Sequence, residues 1–316
     1  MATTVKEKGA VAGAEVPVEH KKALNRRHRQ DALFGYGFLA PQLLGLVLFM
    51  LGPLIMAVVY AFANYDGFNE MTFAGVDNFV WVFTDPQILR SMVNTVWFTV
   101  LQVPGLMISA FLAAYFLQKA GRMKSVYRVF FFAPVVTSSV AVAAIWLFLF
   151  NPELSPVNST LAAIGITAPD WLQNPATVIP AIALVSIWQG LGYQMVMFMA
   201  GLENVPKSLM EAADIDGASE WQKMRKITIP LLSPTILFLS ITGIIGSFQV
   251  FDYIYVFFDT TAPSAARTIV YEIVQIAFRE FNFGRGAALA LVLFLILLAV
   301  TGLQLMAQKR WVHYTE

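Results

Sequence analysis

The chain has 316 residues, of which 58% are hydrophobic and 13% are charged, and its mean hydropathy is +0.65. Soluble domains carry about 25% charged residues, so this composition excludes a disordered chain and argues against an ordinary soluble enzyme. The chain has no cysteine and a formal net charge of +1. Disulfide frameworks and thiolate metal sites are therefore excluded, and a nucleic-acid partner is not indicated.

The first 31 residues are polar, and seven of them are Lys or Arg. They contain no apolar core of the kind that a secretory signal peptide has. We therefore predict that residues 1–31 form a basic N-terminal tail rather than a cleaved leader.

The next part of the chain, residues 32–308, contains six stretches of at least 23 residues without Asp, Glu, Lys or Arg. A helix needs about 20 apolar residues to cross the hydrocarbon layer, and it satisfies its own backbone polar groups there. We therefore predict an all-α integral membrane protein with six transmembrane helices. The stretches are Ala32–Tyr65, Ser91–Gln118, Val129–Pro152, Trp171–Leu202, Ile227–Phe251 and Gly286–Gln308.

The positive charges are concentrated on one side of this predicted topology. Of the 21 Lys and Arg residues, 17 lie in the N-terminal tail, around the loops after the second and fourth helices, and in the C-terminal segment 309–316. Cytoplasmic loops carry an excess of Lys and Arg. We therefore predict a multi-pass protein of the cytoplasmic membrane, with both termini in the cytoplasm.

The loop Glu203–Lys226 has the pattern of two short helices separated by a glycine. Pro206 suits the first turn of a helix, and Gly217 suits the residue that ends one. Ser219 and Gln222 have the spacing of a capping box, which predicts the start of the second helix.

The first of these short helices is acidic. It carries Glu211, Asp214 and Asp216 against Lys207 alone, whereas helices that rest on lipid headgroups usually have a basic polar face. A protein partner with a basic groove is therefore favoured over a lipid surface.

Polar and small side chains recur on one face of the fourth and fifth predicted helices. Such residues are costly against lipid and are expected to face the protein interior. For the glycines, close helix packing is the favoured interpretation, whereas for Gln189 and Tyr193 packing and the lining of a binding site stay equally open. The candidates are Ser186, Gln189, Gly190 and Tyr193 on one helix, and Gly246, Ser247, Gln249 and Val250 on the other.

The run Glu211-Ala212-Ala213 is followed by Asp216-Gly217-Ala218 and then by Ile227-Thr228-Ile229-Pro230. This ordered set resembles the EAA loop of ATP-binding-cassette (ABC) importer permeases, and the wider pattern resembles their carbohydrate-uptake branch, as in the maltose system. The resemblance extends over most of the chain. One departure is Asp259–Pro263, which reads DTTAP where the family tends to have Thr-x-Gly-Gly-Pro.

The resemblance implies a type I ABC importer permease architecture, with a cytoplasmic EAA loop over residues 203–229. In this family the helix before the glycine docks on an ATPase subunit, and sugar binds on the two polar helix faces. The implied coupling residues are Pro206, Leu209, Glu211, Ala212, Ala213, Asp216 and Gly217. The chain has no G-x-x-x-x-G-K-[ST] motif, so we expect it to bind no cofactor itself, and we expect ATP and Mg²⁺ on separate ATPase subunits.

The implied function is ATP-driven import of a sugar or a sugar-like solute by alternating access. The implied partners are a second homologous permease, two ATPases and an external sugar-binding protein, with a pair of identical permeases as the alternative. Two alternative functions are an ion-coupled transporter for a small polar solute and an importer of the same family for glycerol phosphate or a polyol. A membrane enzyme would need carboxylates such as Asp66, Asp77 and Asp85, which show no paired or metal-binding spacing, so we predict that the chain is not an enzyme.

Overall fold

The computed structural model describes residues 34–310 and 312. The predicted basic tail, residues 1–31, lies outside the described residues, as do residues 311 and 313–316 of the predicted C-terminal segment. The described chain is mostly helical. The described residues also include two short strands, β1 at Ala63–Asn64 and β2 at Thr72–Phe73, which pair antiparallel.

The chain divides into two units, Met1–Met56 and Ala57–Glu316. The first helix, α1, runs over Phe34–Ala61 and is apolar enough to cross a membrane. It widens into a π-helical turn at Val47–Leu51. Pro53 follows this turn, and it has no N–H to offer the carbonyl four residues earlier, which accounts for the local change of helix type.

The remaining helices follow in chain order, with α3, α7 and α13 the longest. They are α2 Asp77–Thr84, α3 Pro86–Gln118, α4 Lys124–Phe132, α5 Ser139–Leu149, α6 Pro156–Ala163, α7 Val178–Glu203, α8 Lys207–Ile215, α9 Glu220–Lys223, α10 Ser233–Phe248, α11 Asp252–Phe258, α12 Ile269–Val274 and α13 Phe283–Ala307. Shorter helical turns occupy Gly121–Met123, Ala133–Val136, Met224–Thr228, Ile229–Leu231, Gln275–Arg279 and Gln308–Arg310.

The six predicted membrane spans have counterparts in the structure, but one of them is broken. Among the described residues, five helical segments are long and apolar enough to cross a membrane, and a sixth span results if one bent pair of helices is counted. That pair is Gly121–Val136 and Ser139–Leu149, and its two parts meet at 97°. The expectation of a single helix over Val129–Pro152 is therefore wrong. Pro134 lies in a tight 3-10 turn before the break, and Thr137 has extended backbone, with ψ 139°.

The fifth span is displaced from its predicted position at Ile227–Phe251. It runs over Ser233–Phe258, with an interruption at residues 249–251 that separates α10 from α11. The prolines explain the late start, because Pro230 and Pro234 each suit the first turn of a new helix and the chain restarts at both. The fourth span also starts late, at Val178, because residues 171–177 form turns.

Helix α7 is central to the second unit, since it packs along α3 and also contacts α4 and α10. Buried apolar side chains of α3, α7 and α10 form one cluster, including Ala110, Met195 and Leu239. At Gly192 an added Cβ would lie 2.2 Å from the carbonyl oxygen of Phe131, so only glycine permits this approach. The contact holds α7 against the chain just before the break in the third span.

The segment that departs from the family pattern, Asp259–Pro263, has a defined conformation. Asp259 has a φ of +48°, and its carbonyl oxygen accepts a hydrogen bond from the Tyr271 hydroxyl at 2.7 Å. Arg267 Nε donates to the Ala262 carbonyl oxygen at 2.7 Å. The loop is therefore held by two side chains that follow it in the sequence.

Candidate functional site

A cavity of about 460 Å³ lies between α3, α7, α10 and the start of α11. Every residue that the sequence predicts for solute binding lies on its wall, although these residues come from two helices that are far apart in the chain. Their role in binding stays a prediction. The predicted residues on the wall are Ser186, Gln189, Gly190, Tyr193, Gly246, Ser247, Gln249 and Val250.

Three of these polar side chains are already engaged within the protein, and one of them, Ser186, is hydrogen-bonded to Tyr253. The Tyr253 hydroxyl donates to Gln189 Oε1 at 2.6 Å, and Gln189 Nε2 donates to the Thr137 carbonyl oxygen at 2.9 Å. Gln189 therefore joins α11 to the break in the third span. The Ser247 hydroxyl is buried and lies 2.9 Å from Thr99 Oγ1, so it braces α10 against α3.

Other predicted side chains are free to meet a solute. Tyr193 is 47% exposed, and its hydroxyl forms no hydrogen bond within the described part of the chain. The Gln249 side chain is also exposed, and its amide forms no hydrogen bond there either. The two glycines differ, because a Cβ at Gly190 would lie 3.1 Å from Leu106, whereas a Cβ at Gly246 would meet nothing within 4 Å. Gly190 therefore permits close packing, and Gly246 keeps part of the cavity open.

Several lining residues were not among the predicted ones. Gln102 of α3 and Gln194 of α7 are buried, and within the described chain neither carboxamide oxygen has a hydrogen-bond partner. Asp252 also lines the cavity, and its carboxylate accepts a hydrogen bond from Ser139. An isolated glutamine inside an apolar span was the available signal for Gln102. Asp252 lies one residue beyond Phe251, the predicted end of the fifth span, because that span was predicted too early in the chain.

The loop between α7 and α10 has the predicted helix–glycine–helix form. Gly217 has a φ of +73°, and both hydrogen bonds of the Ser219–Gln222 capping box are present. Pro206 and Asp216 flank α8 as its N-terminal and C-terminal caps, so the helix begins one residue after Pro206 and ends two residues before Gly217.

A cluster of ion pairs fixes this loop. Lys223 is buried, and its ammonium group contacts Asp214 at 2.6 Å and also Glu220. Glu220 in turn lies 3.4 Å from Lys119 Nζ at the end of α3. The Asp214 and Glu220 carboxylates raise the pKa of Lys223 to about 12. Lys223, and to a smaller extent Lys119, holds the pKa of Glu220 below its usual value. The cluster joins α8, α9 and α3.

The outward face of this loop is exposed. Glu211, Ala212 and Leu209 are exposed on α8, while Ile215 is 88% exposed and Trp221 on α9 is 70% exposed. Large apolar side chains beside exposed acids form a surface suited to a protein partner. The predicted coupling residues therefore lie together, although their contact with a partner stays a prediction.

Comparisons with known proteins agree with this architecture. Residues 105–313 match the family described as binding-protein-dependent transport system inner membrane component. The probable ABC transporter permease protein YesP of Bacillus subtilis is 33% identical over 295 residues, with 92% of this chain and 95% of YesP covered. The lactose transport system permease protein LacF of Rhizobium radiobacter is 34% identical over 282 residues, with 87% and 94% covered. The sn-glycerol-3-phosphate transport system permease protein UgpA of Brucella abortus is 32% identical over 287 residues, with 90% and 98% covered.

A chain of the crystal structure of a bacterial alginate ABC transporter, in complex with an alginate pentasaccharide-bound periplasmic protein, has the same fold. Its TM-score is 0.80 at 23% identity, and 90% of this chain and 96% of that chain are covered. The family match spans well over half of the chain, and the curated relatives are aligned over nearly their whole length. The chain therefore belongs to the family of binding-protein-dependent transport system inner membrane components, the multi-pass permeases of ABC importers.

Proposed function

We propose that the chain is the transmembrane subunit of an ATP-driven importer that moves a sugar or a sugar-like solute into the cytoplasm. The cavity carries this proposal, because both predicted polar helix faces meet in it. Binding sites are concave and use a few well-placed polar groups, and this cavity offers the free Tyr193 hydroxyl and the Gln249 amide. The name of the relative LacF supports a carbohydrate as the solute.

The driving force comes from separate ATPase subunits. The exposed acids and apolar side chains of α8 and α9 fit a groove with a basic rim, and the ion-pair cluster at Lys223 keeps the two helices in a fixed relation. Movement of this loop would pass to the end of α3 through Glu220 and Lys119. Alternating access then follows if ATP-driven closure of the ATPases shifts the balance between outward-open and inward-open cavities.

The excess of Lys and Arg on one side supports the proposed orientation, with the loop 203–229 and both termini in the cytoplasm. The proposed assembly contains a second homologous permease, two ATPases that bind ATP and Mg²⁺, and an external solute-binding protein. This chain itself performs no catalytic step. It forms part of the solute path and of the contact with the ATPases.

One observation favours a second candidate function, an ion-coupled transporter. Asp252 is a carboxylate on the cavity wall within the fifth span, and intramembrane acids often mark proton or cation relays. Against this candidate, Asp252 is exposed and accepts a hydrogen bond from Ser139, and the family consists of permeases that depend on binding proteins.

Vesicle uptake measurements separate the two functions. The complete assembly in proteoliposomes, with its binding protein outside, should show solute uptake that vanadate abolishes and an uncoupler leaves intact. Uptake that resists vanadate but collapses with the uncoupler would assign the ion-coupled function instead.

The coupling role of α8 is tested by Glu211→Lys in the same vesicles. Charge reversal at the exposed partner surface should leave the chain inserted while uptake falls at least tenfold relative to ATP hydrolysis, because a buried interfacial charge contact is lost. The matched control is Glu153→Lys, an exposed acid in the loop between α5 and α6. Equal uptake per ATP in both variants would remove Glu211 from the coupling surface.

A further inference from the structure

The charge of the cavity limits the solutes that it suits. Among the described residues on its wall, Asp252 is the one charged side chain, and none is Lys, Arg or His. Proteins usually bind phosphate and carboxylate groups through Arg, Lys or a helix N-terminus, and burying an anion without such a partner is costly. Asp252 would also repel an anion that entered the cavity.

The wall also contains unused hydrogen-bond acceptors. Gln102 is 7% exposed and Gln194 is 5% exposed, and within the described chain neither side-chain oxygen accepts a hydrogen bond. Buried polar groups are nearly always paired, and an unpaired one costs about 1–3 kcal/mol. The two glutamines come from neighbouring helices, α3 and α7, which pack against each other. Both residues line the cavity, and each carboxamide can rotate about its terminal bond to turn its oxygen toward a bound molecule that supplies the missing donor.

Hydroxyl groups are donors of the right kind. A polyhydroxylated ring can donate to both carboxamide oxygens, while the exposed Tyr193 ring offers an apolar face for the C–H surface of a sugar. In the orientation in which the carboxamide nitrogens face the cavity, their N–H groups are neutral donors. They lack the charge that an anionic group requires.

We propose that this cavity selects neutral polyhydroxylated solutes over anionic ones, with solute hydroxyls donating to the buried carboxamide oxygens of Gln102 and Gln194. The inference rests on the proposed import function and narrows its solute class. It separates this chain from importers of phosphorylated or uronate solutes, even though one relative is named for sn-glycerol 3-phosphate transport and a structural neighbour for alginate.

The first test is competition between neutral and anionic probes. Proteoliposomes that contain the complete assembly and its binding protein are given an equimolar mixture of labelled lactose, arabinotriose, raffinose, sn-glycerol 3-phosphate and alginate trisaccharide. Vanadate-sensitive uptake should favour a neutral probe, with each anionic probe at less than about a tenth of its rate. Preferential vanadate-sensitive uptake of an anionic probe would overturn the inference but leave the import function standing. Uptake of every probe that resists vanadate would contradict the import function itself.

The second test removes the amides from the wall. Gln102→Met and Gln194→Met keep side-chain length, and each should raise KM for the preferred neutral probe by roughly three- to tenfold, with kcat little changed. Gln304→Met is the matched control, because Gln304 also has a buried, unpartnered carboxamide oxygen but does not line this cavity. Assembly yield by gel filtration identifies any variant that fails to fold. Unchanged KM in correctly assembled Gln102 and Gln194 variants would refute their role.

Asp252→Asn gives a readout that does not depend on the glutamines. It removes the charge while retaining an oxygen that can accept from Ser139. The share of anionic probes in total uptake should rise several-fold. If that share does not change, the wall charge does not govern selection and this part of the proposal fails.

Discussion

Gly192 shows how one residue sets the distance between two helices, α7 and α4. An added Cβ would lie 2.2 Å from the Phe131 carbonyl oxygen and 2.8 Å from Phe132 Cα, and both of these atoms belong to the backbone. Backbone cannot yield as a flexible side chain can. We therefore predict that Gly192→Ala lowers the free energy of unfolding by about 1–3 kcal/mol, the usual range for overpacking.

Thermal unfolding of the detergent-purified assembly measures this effect. Gly302→Ala is the matched control, since a Cβ there would meet nothing within 4 Å and alanine favours helix. The Gly192 variant should unfold several degrees below the parent protein, and the control should equal or exceed the parent. Equal midpoints for the two variants would contradict the close approach of α7 to the Phe131 backbone.

The spacing of polar residues was informative where a helix was regular. Gln189 and Tyr193 lie four positions apart on α7, so the sequence alone placed them on one face, and both line the cavity. The partners of each side chain were not predictable. Gln189 is bound to Tyr253 and to the Thr137 carbonyl oxygen. The first contact depends on the interruption at residues 249–251 and the second on the break in the third span, and hydropathy registers neither.

At the scale of elements, Lys223 connects the two helices of the loop before α10. Its buried ammonium group lies between Asp214 of α8 and Glu220 of α9, across the turn at Gly217. Lys223→Met would leave the two carboxylates without this cation. We predict roughly two- to fivefold faster amide hydrogen exchange over residues 207–223, a modest effect because both carboxylates are more than half exposed to solvent.

Lys226→Met is the control, because Lys226 is exposed and forms no ion pair within the described chain.

The pH dependence of this effect follows from the signs of the pKa shifts. The pKa of Lys223 is raised from 10.5 to about 12, so its contribution is complete below pH 10.5 and is lost as the pH rises toward 12. The pKa of Glu220 is lowered, so its contribution is present above pH 4.5 and is lost as the pH falls through the lowered value.

The exchange difference between the Lys223 variant and the parent protein should therefore be constant near neutral pH and shrink in acid. A difference that grows on acidification would show that the ion pairs do not fix the loop.

The sequence predicted which elements exist more reliably than where they break. A long charge-free stretch marked each of the six spans, with the bent pair counted as one, because hydrocarbon disfavours charge whether a helix is straight or bent. The 97° bend at Thr137 and the interruption at residues 249–251 were not predicted, since prolines are common in membrane helices and do not by themselves specify a break. The starts of both short loop helices and the end of the first were predicted closely, because proline, glycine and capping-box signals mark helix ends directly.

At the scale of the whole molecule, the interruption after α10 bears on assembly. Non-helical backbone at membrane depth persists only where protein covers it or where it lines a water-filled cavity. Residues 249–251 border the cavity, whose wall includes the exposed Thr242 and Gln249 side chains. In the assembly that we propose, a second permease subunit would close this cavity from the lipid and leave a water-filled path that opens to one side at a time.

The cysteine-free sequence provides a direct test of this arrangement, because a single introduced cysteine in this chain can be followed by mass spectrometry of its peptides. Thr242→Cys should react with a charged maleimide in the assembled importer, since its side chain lines the cavity. Vanadate trapping should change that rate by about tenfold or more, because alternating access exchanges the side from which water enters. Leu298→Cys is the control, as Leu298 is a 59% exposed apolar residue of α13 that does not line the cavity. An unreactive Thr242→Cys, or one that reacts at the same rate in both states, would mean that the cavity between α3, α7 and α10 is not on the solute path.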